Sequence, residues 1–340
     1  MLALAPATKL GSKIAVVAAV MTSWAEDLTR MRTLTSTPAP SIRIRQILPT
    51  DFDSLADLLP RGFRHLDRNA WLRRFKRLSE HPTPAGFPKY GYLMEHDATP
   101  IGALLLIFSA ITTDGETKIR CYVSSWYVEP EFTSHAALLA SRALRYKHVT
   151  YLNVTPHPHT LPILVAQGYR QYCSRRYVAA PLFSRSSRDG RVQAVMPDVC
   201  ADEGLQSSEI ELLLKHASYG CISLTCNWAG ARYPFVFNPR RRAGMLAYAR
   251  LVYCRRVEDF VRFSGPLGRF LARRGFPLVV LDANGPVRGL IGSCVGGYPK
   301  YFKGPHEPCP GDLAYSPGVM FGALDSRRYG DQKHPVFGEA

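Results

Sequence analysis

One stretch of the chain, from Cys121 to Tyr172, restricts the possible folds more than any other. Its pattern predicts a strand, a short loop, a helix, a second strand and a second helix, which closes at Gly168-Tyr169 before a further strand. Upstream, the alternating segment Ser41–Ile47 predicts a half-buried strand, and the segment that starts with Thr50 as a candidate N-cap predicts an amphipathic helix. This order predicts an α+β fold, with helices on both faces of a mixed sheet.

Between these two regions the sequence predicts one more helix and three strands. Asn69–Leu78 has an apolar stripe at helical spacing, and Asp114-Gly115 is a strong hairpin signal between two strands. The three predicted strands are Tyr90–Glu95, Pro100–Ser109 and Thr117–Trp126.

Two motifs in the central stretch resemble a known family. Val128-Glu129-Pro130-Glu131-Phe132 resembles the V-x-P-x-[YF] end of the central strand in GNAT (Gcn5-related N-acetyltransferase) domains, and Gln167-Gly168-Tyr169 resembles their [KL]-G-[FY] close. The resemblance implies an acyl-CoA-dependent acyltransferase, with acetyl-CoA or a longer acyl-CoA as cosubstrate, no metal and an unknown N- or O-acceptor. The alternative is a catalytically silent GNAT-like protein that binds a ligand or a partner.

The same resemblance implies where the CoA pyrophosphate would bind. The family loop [QR]-x-x-G-x-[GA] falls on residues 133–136, where both glycines are replaced, although backbone amides and two hydroxyls remain available. An ordinary helix start, with one of the hydroxyls as N-cap, is the other interpretation of this loop. The predicted cofactor-binding residues are Val128, Thr133, Ser134, His135, Ala136 and Ala137.

The resemblance also identifies candidate catalytic residues. The family's general-acid tyrosine corresponds here to Leu164, so another group must protonate the thiolate. His157 and His159, in a Pro-rich turn after the second strand of the stretch, can exchange protons near neutral pH, although exposed histidines of this kind are often only solvated. Glu95 and Glu129 are the candidate general bases.

The second half of the chain repeats the first in outline. Its predicted elements are a helix over Ser208–Ala217, strands over Cys221–Trp228, Tyr233–Phe237 and Gly244–Cys254, a helix over Val257–Arg274 broken near Gly265-Pro266, and strands over Leu278–Asp282, Val287–Cys294 and Leu313–Phe321. Pro299–Pro310 is rich in proline and is predicted to be a loop that covers a cleft.

We therefore predict two GNAT-like copies in tandem, with one functional CoA site; an unrelated α+β second domain is the alternative. The predicted divisions are an extension over residues 1–40, a first domain over 41–182, a linker over 183–206, a second domain over 207–325 and a tail over 326–340. In each copy the sheet is predicted to splay open, after Val128 in the first and between Gly244–Cys254 and Leu278–Asp282 in the second.

Composition sets limits on the remaining possibilities. The formal net charge of +16 attracts polyanions, but no nucleic-acid-binding module is recognisable. The eight cysteines form no C-x-x-C pair and no zinc spacing, which favours reduced and mostly buried thiols. The apolar run Ile14–Met21 is too short to span a bilayer, and a start at Met31 would explain residues 1–30. We predict a cytoplasmic protein with no membrane span; the oligomeric state stays open.

Overall fold

The computed structural model describes residues 42–113, 115–157, 160–184, 190–195, 204–241 and 246–322. The strands are β1 (Ile42–Gln46), β2 (Gly91–His96), β3 (Thr99–Thr113), β4 (Glu116–Val128), β5 (Thr150–Asn153), β6 (Arg170–Ala179), β7 (Arg191–Ala194), β8 (Ile222–Trp228), β9 (Ala231–Arg240), β10 (Tyr248–Cys254), β11 (Leu278–Ala283) and β12 (Gly292–Lys303). The α-helices are α1 (Phe52–Gly62), α2 (Arg68–Ser79), α3 (Ala136–Ala143), α4 (Leu161–Ala166), α5 (Ser207–Ser218), α6 (Val257–Arg262), α7 (Ser264–Arg273) and α8 (Pro317–Met320).

The strands form one twelve-stranded sheet in the order β1-β2-β3-β4-β5-β12-β6-β11-β10-β9-β8-β7. The first five strands of the chain lie on one side, and β7 to β11 lie on the other in mirrored order. Between them β12 pairs with β5, and β6 pairs with β11, in both cases antiparallel. Each half therefore contributes its sixth strand to the fifth strand of the other half, and β6 and β12 pair with each other at the seam.

Two local features recur at equivalent places in the two halves. The fourth strand of each half runs parallel to the fifth over three residue pairs only: Arg120–Tyr122 with Thr150–Leu152, and Tyr248–Arg250 with Leu278–Val280. Each fourth strand also has an irregularity directly after this pairing, between Ser124 and Tyr127 in β4 and between Leu251 and Tyr253 in β10. The repeat predicted from sequence is thus present in the strand order, the pairing and the irregularities.

Alternation along the strands sends side chains into separate cores. One face of the sheet carries a core shared by both halves, which α1, α2 and α5 cover. The opposite face carries two cores: α3 and α4 cover the first-half core, and α6 and α7 cover the second-half core. In β3, for example, Leu105 and Ile107 enter the shared core, whereas Leu104 and Leu106 enter the first-half core.

The predicted domain division follows the order of the chain, but the sheet does not separate at that boundary. Part of the predicted linker, Arg191–Ala194, is the edge strand β7, which pairs with β8. Residues 1–41 and 323–340, which include the predicted extension and tail, lie outside the described residues.

Two predictions for the second half need correction, and a third is confirmed. Pro299 and Lys300 lie inside β12 rather than in a loop, because the register shifts between Gly296 and Lys300 and the proline falls within that irregularity. Leu313–Phe321 is not a strand; its apolar residues pack in the shared core as irregular chain followed by the short helix α8. The predicted break near Gly265-Pro266 is confirmed: it lies at Phe263, between α6 and α7.

Candidate functional site

The gap between β4 and β5 beyond Tyr122, here called the first cleft, is the candidate site. Since their pairing ends at Tyr122 and Leu152 while β4 continues to Val128, the two strands separate as predicted. Separation starts six residues before the predicted point. The cause is the irregularity in β4, where Ser125 has a φ of 51°, and not the proline that follows the strand.

The first cleft holds a cavity of about 140 Å³ that crosses the sheet. Phe63, directly after α1, lies on the side of the shared core, whereas Leu104 and Leu164 belong to the first-half core on the other face. The lining residues are Phe63, Leu104, Val123, Ser124, Ser125, Trp126, Ala140, Leu144, Asn153, Thr155, Pro156, His157, Thr160, Leu164, Gln167 and Tyr169. An extended molecule could therefore enter from one face and present its end to the other.

Several polar residues of the cleft were not identified from sequence. Ser124 and Ser125 interrupt the apolar second half of β4, and Asn153 ends β5; polar residues at such positions are the signal that could have identified them. Tyr169 was predicted only as part of the closing motif. It is 5% exposed, and its hydroxyl has no hydrogen-bond partner among the described residues. Burial raises the pKa of this phenol well above its ordinary value, so it remains protonated.

The predicted pyrophosphate loop connects β4 to α3. Pro130–His135 forms a 3-10 helix in which Thr133 and Ser134 are exposed, and α3 starts at Ala136. The Thr133 hydroxyl donates to the carbonyl of Pro130 (3.0 Å), and Ser134 Oγ lies 3.1 Å from His135 Nδ1. Neither hydroxyl caps α3, because the N-cap position is occupied by His135. The His135 side chain itself forms no capping hydrogen bond with the helix. The predicted N-cap role of Thr133 or Ser134 is therefore wrong, whereas a helix start at this place is confirmed.

The remaining predicted cofactor residues continue from this loop. Val128 ends β4 and packs against the first-half core. Ala136 and Ala137 open α3, and the same helix reaches the cleft at Ala140. The loop is thus joined directly to two walls of the first cleft.

The four predicted catalytic residues have different surroundings. His157 is exposed and lines the first cleft. His159 lies outside the described residues. Glu95 is not brought to the cleft: it accepts hydrogen bonds from Arg45 Nη2 (2.7 Å) and Nε (3.1 Å), and Arg45 also binds Asp51. Because Arg45 donates to it, the pKa of the Asp51 carboxyl is lowered.

Glu129 lies beside the loop but is already engaged. Its carboxylate accepts from the hydroxyl of Tyr127 (2.8 Å) and from Arg61 Nη1 (2.5 Å). Burial, followed by this hydrogen bond, raises the pKa of Tyr127 to about 12.

The equivalent gap between β10 and β11, here called the second cleft, is filled on its inner side by the chain itself. Gly311 lies against Leu251 and Cys254 of the second-half core, whereas Leu313 and Tyr315 are buried in the shared core. Residues 311–315, the threading segment, therefore cross the sheet beside β10.

Three contacts hold the threading segment in place. The Leu313 amide donates to the carbonyl of Val252 (2.7 Å). Val252 lies in β10 beyond the residues that pair with β11. Arg120 of β4 pairs with Asp312 (2.7 Å) and donates to the carbonyl of Ala314 (2.7 Å). The two clefts are consequently unequal, because the inner part of the second already has an occupant.

No group of three or more His, Cys, Asp or Glu side chains within the described ranges is arranged to hold a metal ion. In that part of the chain we also find no helix with the length and hydropathy needed to cross a bilayer. The seven cysteines placed there are free, and Cys309 is exposed. Cys200 lies outside the described residues.

Comparison of the fold with solved structures identifies clear similarities. A GCN5-related N-acetyltransferase from Anabaena variabilis ATCC 29413 matches with a TM-score of 0.52 and 10% identity, over 77% of this chain and 72% of that one. Another from Kribbella flavida matches with a TM-score of 0.51 and 14% identity, over 79% and 72% respectively. At the level of sequence, neither a protein-family model nor a curated protein matches. From its topology, its cleft and these similarities, the chain has the fold of the GCN5-related N-acetyltransferases.

Proposed function

We propose that the chain is an acyl-CoA-dependent acyltransferase that binds its acyl donor in the first cleft. The observation that carries the proposal is the separation of β4 from β5 after three residue pairs, with a cavity that crosses the sheet at that point. Strand edges that lack a partner offer backbone donors and acceptors to an extended amide-containing arm, as in the addition of a strand to a sheet. The fold adds support, since the similar structures are acetyltransferases.

In this proposal each part of the cleft has a role. The 3-10 turn and the start of α3 would place backbone N–H groups against the diphosphate of CoA, where a helix N-terminus favours negative charge. The thioester supplies an activated acyl group to an acceptor that approaches from the side of Phe63. His157, at the cleft, would protonate the departing thiolate in place of the tyrosine that Leu164 replaces.

Calorimetric titration with acetyl-CoA and with a longer acyl-CoA tests the proposal. We expect binding with a stoichiometry of one, because the threading segment fills the inner part of the second cleft. A thiol-release assay with amine and hydroxyl acceptors then separates an active enzyme from a silent binding protein. If neither ligand binds at concentrations up to about 1 mM, a level at which even weak complexes form, the acyltransferase proposal is wrong.

The substitution Ala136→Glu tests the position of the diphosphate. It adds a negative charge and bulk at the start of α3, and we expect acetyl-CoA affinity to fall about 30-fold, equivalent to roughly 2 kcal/mol. Ala231→Glu, an exposed position at the start of β9, adds the same charge far from the cleft and should change affinity less than about twofold. Full affinity in a folded Ala136→Glu variant would place the diphosphate elsewhere.

A further inference from the structure

A cavity of about 200 Å³ lies between the two halves, on the face of the sheet that carries the shared core. The first half contributes the loop His81–Pro84, which follows α2, and the end of β3, Ser109–Thr112. The second half contributes the start of α5, together with Tyr253 of β10 and Tyr315 of the threading segment. We call this space the inter-half cavity.

The inter-half cavity is separate from the first cleft. Both are lined by β3, but Leu104 lines the first cleft, whereas Ser109 lines the inter-half cavity. The two positions lie about 17 Å apart along the strand, at about 3.4 Å per residue. Among the described residues, none lines both spaces. A ligand in the inter-half cavity would therefore not occupy the proposed acyl-donor site.

Two hydroxyl groups at the inter-half cavity lack hydrogen-bond partners. Ser109 lies on the same face of β3 as Ile107, which packs in the shared core, and it is 2% exposed. Its Oγ and the Oγ1 of Thr83 are both buried, and neither has a hydrogen-bond partner among the described residues. Because buried polar groups normally have such partners, these two hydroxyls indicate a bound molecule that supplies them.

The ionisable groups that line the cavity leave one negative charge unbalanced. Glu209 is held by Arg255, whose Nε and Nη2 each lie 2.5 Å from a carboxylate oxygen. Burial lowers the pKa of His81 to about 4, so this ring is neutral near pH 7. Glu211 is exposed, and within the described ranges no cationic side chain forms an ion pair with it. The cavity therefore favours a cationic ligand over an anionic one.

The charge of Glu211 is available to such a ligand. Lys215 follows Glu211 by one turn of α5, but its ammonium donates to the carbonyl of Glu80 (2.9 Å). Burial, followed by the negative charge of Glu211, raises the pKa of Tyr315 to about 12. The carboxylate is therefore close enough to act on another group of the cavity wall.

The rest of the wall suits an alkyl chain. Ile111, Leu212 and Pro82 contribute aliphatic surface from both halves. Tyr253 and Tyr315 add aromatic rings, whose faces attract cations. The volume exceeds that of an apolar cavity of about 150 Å³ that holds benzene, so a chain of about five carbons fits.

We propose that the inter-half cavity binds a small primary amine with an alkyl chain. An ammonium group carries donors and no acceptor, and it matches three acceptors of the wall: the Glu211 carboxylate, Ser109 Oγ and Thr83 Oγ1. The alkyl chain lies against the aliphatic and aromatic residues. Because the ligand contacts both halves, it stabilises their packing on the shared core. This site does not depend on the proposed acyltransferase function.

Calorimetric titration of the full chain with n-pentylamine at pH 7 tests this site. We expect pentylamine to bind with a Kd below about 5 mM, and n-pentanol and pentanoate, which have the same chain length, to bind at least about tenfold more weakly. Glu211→Gln should lower pentylamine affinity at least about fivefold. Glu258→Gln, which neutralises an exposed carboxylate on α6, is the matched control and should change that affinity less than about twofold.

Ser109→Ala separates a binding role from a structural one. The hydroxyl has no partner within the described residues, so its removal should not lower the stability of the amine-free protein to urea. Pentylamine affinity should nevertheless fall at least about threefold, because the ammonium loses one acceptor. A loss of stability with unchanged affinity would assign Ser109 to the fold and contradict the proposal.

Other results would also overturn the proposal. They are no pentylamine binding at about 10 mM, equal binding of pentanol, or an equal loss in the Glu258→Gln control. Full affinity in Glu211→Gln would place the amine elsewhere, including the acceptor side of the first cleft. Tighter binding of Nα-acetyl-lysine N-methylamide would assign the cavity to a lysine side chain of a protein rather than to a small amine. Acetyl-CoA affinity reports on the first cleft alone, so the two proposals fail separately.

Discussion

We expect the substitution Asp282→Ala to lower the free energy of unfolding by about 3–5 kcal/mol, because it removes one partner of a buried ion pair. Asp282 and Lys300 are each 2% exposed, and their charged atoms are 2.9 Å apart. Without the carboxylate, the Lys300 ammonium stays buried and unpaired at the seam of the sheet. Urea unfolding monitored by circular dichroism at pH 7 measures the change.

The pH dependence of this variant provides a second test. Burial already lowers the pKa of Lys300, and the carboxylate of Asp282 counteracts that effect. In the variant the folded-state pKa falls further below that of the unfolded chain. Since the unfolded state then binds more protons, stability should rise as the pH is raised from 7 toward 10.

Two further variants complete this experiment. Asp282→Leu combined with Lys300→Met replaces the pair with apolar groups and should recover most of the lost stability. Asp53→Ala breaks an exposed ion pair with Arg68, and we expect it to leave the midpoint urea concentration of unfolding nearly unchanged. If the Asp282→Ala protein unfolds at the same urea concentration as the natural chain, the ion pair does not stabilise the pairing of β6 with β12.

Acidification should destabilise the protein through two buried histidines. His81 is 2% exposed and His216 is fully buried, and burial lowers the pKa of each to about 4. His81 Nε2 lies 2.8 Å from the carbonyl of Phe108, and His216 Nδ1 lies 2.7 Å from the carbonyl of Leu212. Both rings are therefore neutral in the folded state and donate one hydrogen bond each.

The sign of the pH effect follows from these values. The unfolded histidines take up protons below about pH 6.5, whereas the folded ones do so only near pH 4. Between these values the unfolded state binds more protons, so stability falls as the pH falls. The two groups together should cost roughly 4 kcal/mol between pH 7 and pH 5.

Urea unfolding at pH 7, 6 and 5 measures this slope. His81→Gln keeps a donor for Phe108 without the titration, and we expect it to halve the dependence on pH in this window. His216→Asn, which can donate to Leu212 in the same way, should halve it as well. A slope that neither substitution reduces would assign the acid sensitivity to other groups.

His81 connects the two halves, whereas His216 and its partner Tyr315 both belong to the second half. His81 Nδ1 lies 3.4 Å from the hydroxyl of Tyr219, which follows α5, and His216 Nε2 accepts from the amide of Tyr315 (3.1 Å). Protonation of His216 would place an N–H at Nε2 against the amide N–H of Tyr315 and break that contact. Acid should therefore act first at the shared core, where both halves pack on the same face of the sheet.

Much of the fold was predictable because the decisive signals are local. Alternation of apolar and polar residues located β1 to β4, and the strand–helix–strand order located the cleft between β4 and β5. The exchange of β6 and β12 was not predictable, because pairing partners that lie more than a hundred residues apart leave no trace in local periodicity. Pro299 also obscured β12, since proline is a poor signal for a central strand.

The candidate site was predicted less completely than the fold. His157 lines the first cleft because it lies in the turn that follows β5, and its catalytic role stays a prediction. Glu95 was selected because it ends a strand, but its partner Arg45 lies 50 residues away in the sequence and becomes its neighbour only through strand pairing. Leu313 and its neighbours are apolar because they pass through the second cleft and pack in the shared core. An irregular buried segment of this kind has the same composition as a buried strand, so the sequence does not distinguish the two.

The exchanged strands give the chain the topology of a domain-swapped dimer whose two subunits have been joined covalently. A fragment that ends after β6 would contain β5 and β6 but not β12, the strand that pairs with both of them. The natural neighbours of its open edges would all be supplied by the other half. The connection between the halves thus sets the local concentration of the missing partner, and it makes the exchange an intramolecular reaction that needs no second molecule.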